Sequence, residues 1–245
     1  MQAWKTLERP APWLVGLAGL TGVAVWVALG LVFFYAPSER TMGVVQKIFY
    51  LHVPSAIMAY AGFFLCCGAS VVYLLRPSPK ADVIARAGAE VGVLFCTVVL
   101  VTGPLWARKA WGTWWTGEPR LLLTLIMALI FVAYLLVRAV GGRREMTRKV
   151  CAVLAILGVA DIPLVRLSVE RWRGAHPQVI SGEGAGISPE MQVALTASFV
   201  AWGLLFALFL VLRIRLGFGQ EAVEEGYRLV QAREHAWEAT LEKRA

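Results

Sequence analysis

Residues 48–75 read IFYLHVPSAIMAYAGFFLCCGASVVYLL, 28 consecutive positions without a charged side chain. A helix of about 20 mostly apolar residues crosses the hydrocarbon core of a bilayer, where no water is present to satisfy backbone amides. This run is long enough to span with some tilt. Trp13 to Phe34 and Met191 to Leu212 each add 22 uncharged residues. Three shorter stretches follow the same logic: 87–107 with the single acid Glu90, 121–137 between Arg120 and Arg138, and 150–165 interrupted by Asp161. The expectation is an all-α, polytopic membrane protein with six transmembrane helices in one membrane domain, spanning 13–34, 48–75, 87–107, 121–137, 150–165 and 191–212. Glu90 is expected to reach the interface, and Asp161 to pair with Arg166 one turn on.

Composition agrees with this reading. Of 245 residues, 58% are hydrophobic and 16% charged, against about 45–50% and 25% in soluble domains. A soluble surface cannot be covered from that supply, and the mean hydropathy is +0.65. The formal charge of +8 sits in short clusters between apolar runs, so it reports topology rather than nucleic-acid binding. With the N-terminus inside, 16 Lys and Arg fall on that side and 8 on the other. Both termini are therefore expected in the cytoplasm, with 107–120 as an outer tryptophan-rich segment and 213–245 as a cytoplasmic tail carrying a short solvated or surface-lying helix. The first run exceeds the roughly 7–15 residues of a signal-peptide core and no A-x-A site follows it, so it reads as a span. Ser188-Pro189-Glu190 supplies an N-cap, a proline at the first helical position and an early acid, which places the start of the sixth helix.

Cys66, Cys67, Cys96 and Cys151 lie within the apolar runs without CxxC or CxxCH spacing, and read as small buried apolar residues rather than a disulfide scaffold, a zinc site or a covalent haem attachment. More telling residues collect on the outer side. His52 lies in Tyr50-Leu51-His52-Val53-Pro54, His176 lies in the loop after the fifth span, and between them Trp106, Trp111, Trp114 and Trp115 fall within ten residues. On a helix, Trp111, Trp114 and Trp115 would form one aromatic face. Tryptophans also form interfacial belts, but a belt is spread over both interfaces. Two neutral imidazoles can supply both axial positions of a haem iron, with aromatic rings against the macrocycle and Arg108, Lys109 or Arg120 for its propionates. Zinc is the weaker alternative, since only Glu118, Glu170 and Glu183 offer further ligands on that side. An electron-transfer subunit with a permanent bis-histidine haem and a permease subunit without haem are the rival readings.

At these residues the chain resembles the haem-handling membrane proteins of cytochrome c maturation, and among them the CcmC, or haem exporter protein C, family. The resemblance is carried by Phe49-Tyr50-Leu51-His52-Val53-Pro54-Ser55-Ala56, by Thr102-Gly103-Pro104-Leu105-Trp106 with Trp111-Gly112-Thr113-Trp114-Trp115, and by Ser168-Val169-Glu170-x-Trp172 leading to His176. It implies that His52 and His176 are axial ligands of a transiently held haem b, and that Trp111 to Arg120 is the haem-contacting segment, with Trp106 and Trp172 nearby. It further implies an inner-membrane protein without enzymatic chemistry that delivers haem to the periplasmic chaperone CcmE, alongside the ABC-type subunits CcmA and CcmB and the small protein CcmD. This chain departs from the family pattern at Thr116-Gly117-Glu118 and at Pro177-Gln178.

Overall fold

The computed structural model describes residues 11–142, 144–172 and 187–242. Among them run six long helices: α1 (Pro12–Gly30, extended by a π turn over Leu31–Tyr35), α2 (Phe49–Leu75, led in by a 3-10 turn over Val44–Ile48), α3 (Pro79–Trp111), α4 (Pro119–Gly141), α5 (Glu145–Trp172) and α6 (Pro189–Glu242). Each is long and apolar enough to cross a membrane. Large side chains such as Phe34 and Val140, both more than 90% exposed, belong in lipid rather than water.

Several helices outrun the apolar stretches that announce them; α3, for one, begins at Pro79 rather than near 87. Its added turns carry Asp82 and Arg86, and both Asp82 and the Glu90 of the expected span find basic partners. Glu90 accepts from Arg86 at 3.0 Å and from Arg213 of α6 at 2.6 Å, so it ties helices together and does not merely reach the interface. Asp82 is gripped by both terminal nitrogens of Arg138 on α4, with Arg148 Nε of α5 at 3.2 Å. Arg148 in turn meets Glu221 of α6 at 3.3 Å. Asp161 is buried and its Oδ2 has no hydrogen-bond partner among the described residues, and the expected ion pair with Arg166 is not among the ion pairs of those residues.

The core lies where α2, α3, α4 and α5 meet, around Phe63, Cys66, Phe95, Phe131, Tyr134 and Ala155. Phe63 and Phe131 stack with centroids 3.8 Å apart. In lipid the drive for helices to associate comes from close packing, which small residues permit. Gly62, Gly88 and Gly92 serve that purpose: a Cβ on Gly62 would stand 2.7 Å from Gly92 Cα and 2.8 Å from the Gly88 carbonyl. Cys66, Cys96 and Cys151 are buried as their apolar setting implies, whereas Cys67 is only half-buried, and all four are free of disulfides.

α6 starts where its cap signal lies, with Ser188 Oγ accepting the Met191 amide at 3.4 Å. Its far end differs from expectation. No break separates span from tail, and the helix continues for 54 residues, about 81 Å at 1.5 Å per residue. Gly217 does not end it, because that glycine is a packing device: a Cβ there would meet Val83 of α3 at 2.6 Å.

The connection from α1 to α2 is closed by local bonds. Lys47 Nζ donates to the carbonyls of Val32 at 2.7 Å and Phe33 at 3.0 Å, satisfying carbonyls at the end of α1 that have no helical partner. The Glu39 carboxylate accepts the amides of Thr41 and Met42 at 2.9 and 2.6 Å, and these bonds hold its carboxyl below the usual value.

Candidate functional site

α2 begins, α3 ends and α4 begins at one end of the bundle, and between them lies a cavity of about 1030 Å³ including its open mouth. Helical spacing builds its walls. Ile48, Phe49, His52, Val53, Ala56 and Tyr60 come from α2 and its lead-in; Cys96, Val99, Leu100, Gly103, Pro104 and Trp106 from α3; Arg120, Leu121, Thr124 and Met127 from α4. Trp111 and Trp115 complete the lining.

His52 is held on the wall by Thr102, whose Oγ1 lies 2.8 Å from the imidazole Nδ1. The edge of the ring approaches α3 closely, since a Cβ on Gly103 would stand 3.5 Å from His52 Cε1. Pro54 lies in the second turn of α2 and is fully buried.

The tryptophans are arranged differently from a helical face. α3 ends at Trp111, because Gly112 takes φ 75° and closes the helix in the left-handed conformation, where glycine carries no Cβ penalty. Arg108 reaches forward to the Gly112 carbonyl, so its guanidinium caps the helix rather than facing the cavity. Trp114 and Trp115 therefore sit on a bend, not on a continuation of α3. Trp115 lines the cavity, whereas Trp114 is 56% exposed and lies off it. Trp106 and Trp111 meet edge to face at 5.3 Å. Of Arg108, Lys109 and Arg120, only Arg120 is on the cavity wall.

His52, Trp106, Trp111, Trp115 and Arg120 are thus brought together, and Trp114 is set apart. His176 lies outside the described residues; Trp172 is the last residue of α5, and its side chain is outside them too. The lining also includes Tyr60 and Thr124, which sequence reasoning missed. Their signal was present: Tyr60 follows His52 by eight residues and Thr124 follows Arg120 by four, on the same helix faces. Thr102 was visible only as the first residue of a Thr-Gly-Pro motif.

The fold and the cavity define a polytopic helical membrane protein with an aromatic pocket that presents an imidazole and a guanidinium at one end of the bundle. The profile of the CcmC family, described as Heme exporter protein C, matches residues 2–227. The chain belongs to that family. It is 29% identical over 225 residues to Heme exporter protein C of Escherichia coli K12, covering 86% of this chain and 90% of that one. It is 30% identical to the protein of the same name from Rhodobacter capsulatus over 220 residues, covering 86% and 87% of the two chains. Against that of Bradyrhizobium diazoefficiens it is 32% identical over 202 residues, covering 81% and 74%.

Proposed function

We propose that this protein takes up haem b at the outer face of the bacterial inner membrane, holds it without a covalent bond and passes it to a periplasmic haem chaperone for cytochrome c maturation. One observation carries the reading: in a chain of the Heme exporter protein C family, His52, three tryptophans and Arg120 line a single cavity at one end of the membrane bundle. The lining fits the cargo. Apolar and aromatic walls take a porphyrin face, an imidazole offers a nitrogen to iron, and a guanidinium suits a carboxylate. Within this reading His176 is the second axial ligand, both termini lie in the cytoplasm and the cavity faces the periplasm, an orientation that the Lys and Arg distribution supports. The partners are CcmE as acceptor, CcmA and CcmB as ABC-type subunits, and CcmD. The protein binds, orients and releases haem, and no bond of the porphyrin needs to be made or broken.

The test is the absorption spectrum of protein purified from haem-replete membranes. His52→Ala and His176→Ala are each expected to lose most of the Soret band, whereas His235→Ala on the tail keeps it. Added imidazole should restore part of the loss by refilling the vacated axial position. Equal haem in all three variants would refute the ligand assignment, and a haem that cycles reversibly but is never passed to CcmE would favour an electron-transfer subunit.

A further inference from the structure

The bond between His52 and Thr102 has a direction, and the direction selects which imidazole nitrogen is free. Thr102 Oγ1 lies 2.7 Å from the carbonyl oxygen of Val98, one turn back on α3, and 2.8 Å from His52 Nδ1. A hydroxyl has one proton and two lone pairs. Two oxygens 2.7 Å apart with no proton between them would oppose lone pair to lone pair, so the hydroxyl proton belongs on the line to Val98. Thr102 Oγ1 can then only accept from the imidazole, and Nδ1 must carry the ring proton. In a neutral imidazole this leaves Nε2 with its lone pair exposed.

The surroundings hold that arrangement in place. Thr102 is 7% exposed, which keeps water from replacing either partner. Its β-branched side chain is stiff, and the bond back to Val98 fixes its rotamer. Gly103 next to it leaves the ring room to lie against α3.

We propose that Thr102 is a positioning residue that fixes His52 as its Nδ1–H tautomer, so that Nε2 is already a lone-pair donor for iron before haem arrives. The inference rests on the reading of His52 as a haem ligand. A metal-binding histidine commonly donates its second ring N–H to an acceptor that sets its tautomer and basicity, and loss of such an acceptor costs about 10–100-fold in metal affinity. The usual acceptors are carboxylates, carbonyls or water. Here it is a hydroxyl whose own proton is committed to the helix that carries it.

The chain has three histidines, so their ring nitrogens can be resolved by long-range 1H–15N NMR of the haem-free, full-length protein in detergent, above the ordinary imidazole titration range, with His→Gln variants for assignment. His52 should show a pyrrole-type Nδ1 and a pyridine-type Nε2. Thr102→Val, which keeps the shape and removes the acceptor, should mix the two tautomers and weaken haem binding by about 10–100-fold, while Thr102→Ser restores both. A pyrrole-type Nε2 in the parent protein would overturn the proposal, as would a Thr102→Val protein with unchanged nitrogen signals and haem affinity. The parent measurement needs no haem to bind, and its assignment needs only His176→Gln and His235→Gln, which leave His52 and Thr102 unchanged. Retention of haem by His52→Ala would instead refute the functional reading beneath the proposal and leave the tautomer result standing as a property of the apoprotein.

Discussion

Trp106 and Trp111 meet nearly at right angles, with ring centroids 5.3 Å apart and planes inclined by 88°. The positive edge of one indole faces the negative face of the other, and such a pair contributes about 0.5–1.5 kcal/mol beyond the area it buries. The pair makes a fixed corner of the cavity wall on the last turns of α3. Replacing Trp111 with Leu is therefore expected to weaken haem retention roughly two- to tenfold. Trp115→Leu should have a similar effect. Trp114→Leu should leave retention unchanged, because that ring lies off the cavity. Titration of each apoprotein with haem, followed at the Soret band, checks the order; a Trp114 defect equal to that of Trp111 would contradict it.

The buried Asp82–Arg138 pair gives a stability prediction. Removing one partner strands the other charge in a site where both side chains are 5% exposed, at a cost of about 3–5 kcal/mol. Asp82→Leu should markedly lower the melting temperature of the solubilised protein. The double variant Asp82→Leu, Arg138→Leu should recover part of the loss, though Arg148 is left with Glu221 alone of its two acids. A double variant less stable than Asp82→Leu alone would show that the pair is not the source of the effect.

A third expectation concerns the close approach of α2 and α3. A methyl group on Gly62 meets backbone atoms of Gly88 and Gly92 that cannot swing aside, and overpacking of this kind costs about 1–3 kcal/mol. Gly62→Ala should lower the yield of folded protein and spread the helices that carry His52 and Thr102. Gly68→Ala, facing open space on the same helix, should be neutral or mildly stabilising, as alanine is the better helix former. Melting curves of the two variants side by side decide the point.

Orientation is tested with reporters. A phosphatase that works only in the periplasm should be active when inserted at Gly112, in the bend after α3, and inactive when fused after Arg233. The reverse pattern would invert the 16 to 8 reading of Lys and Arg and place the cavity toward the cytoplasm.

The number and order of helices were legible in the sequence because a bilayer demands long uncharged runs, and that demand is written residue by residue. Helix ends were less legible wherever charge is paired in three dimensions. The first turns of α3, before residue 87, look like a polar loop until Asp82 is seen to find Arg138. The fate of Trp114 turned on Gly112: a glycine within a tryptophan run is compatible with a continuing helix by spacing alone, and only its positive φ separates Trp114 from the cavity. The unbroken α6 was hidden for the opposite reason, since three glycines after Arg215 suggest a break and one of them is instead a seat for Val83.

α6 is a single rod clamped at three places: to Ser55 by the Trp202 indole at 2.9 Å, to Glu90 by Arg213, and to Arg148 by Glu221. Beyond Glu221 another 21 residues of helix project, a cantilever of about 32 Å. A sideways load at its tip is multiplied at the nearest clamp, so Glu221–Arg148 is the fulcrum of the lever. Arg148 also contacts the carboxylate that grips Arg138, so one chain of ion pairs links the root of the overhang to the buried pair joining α3 and α4, the two helices that carry Thr102 and Arg120 at their far ends.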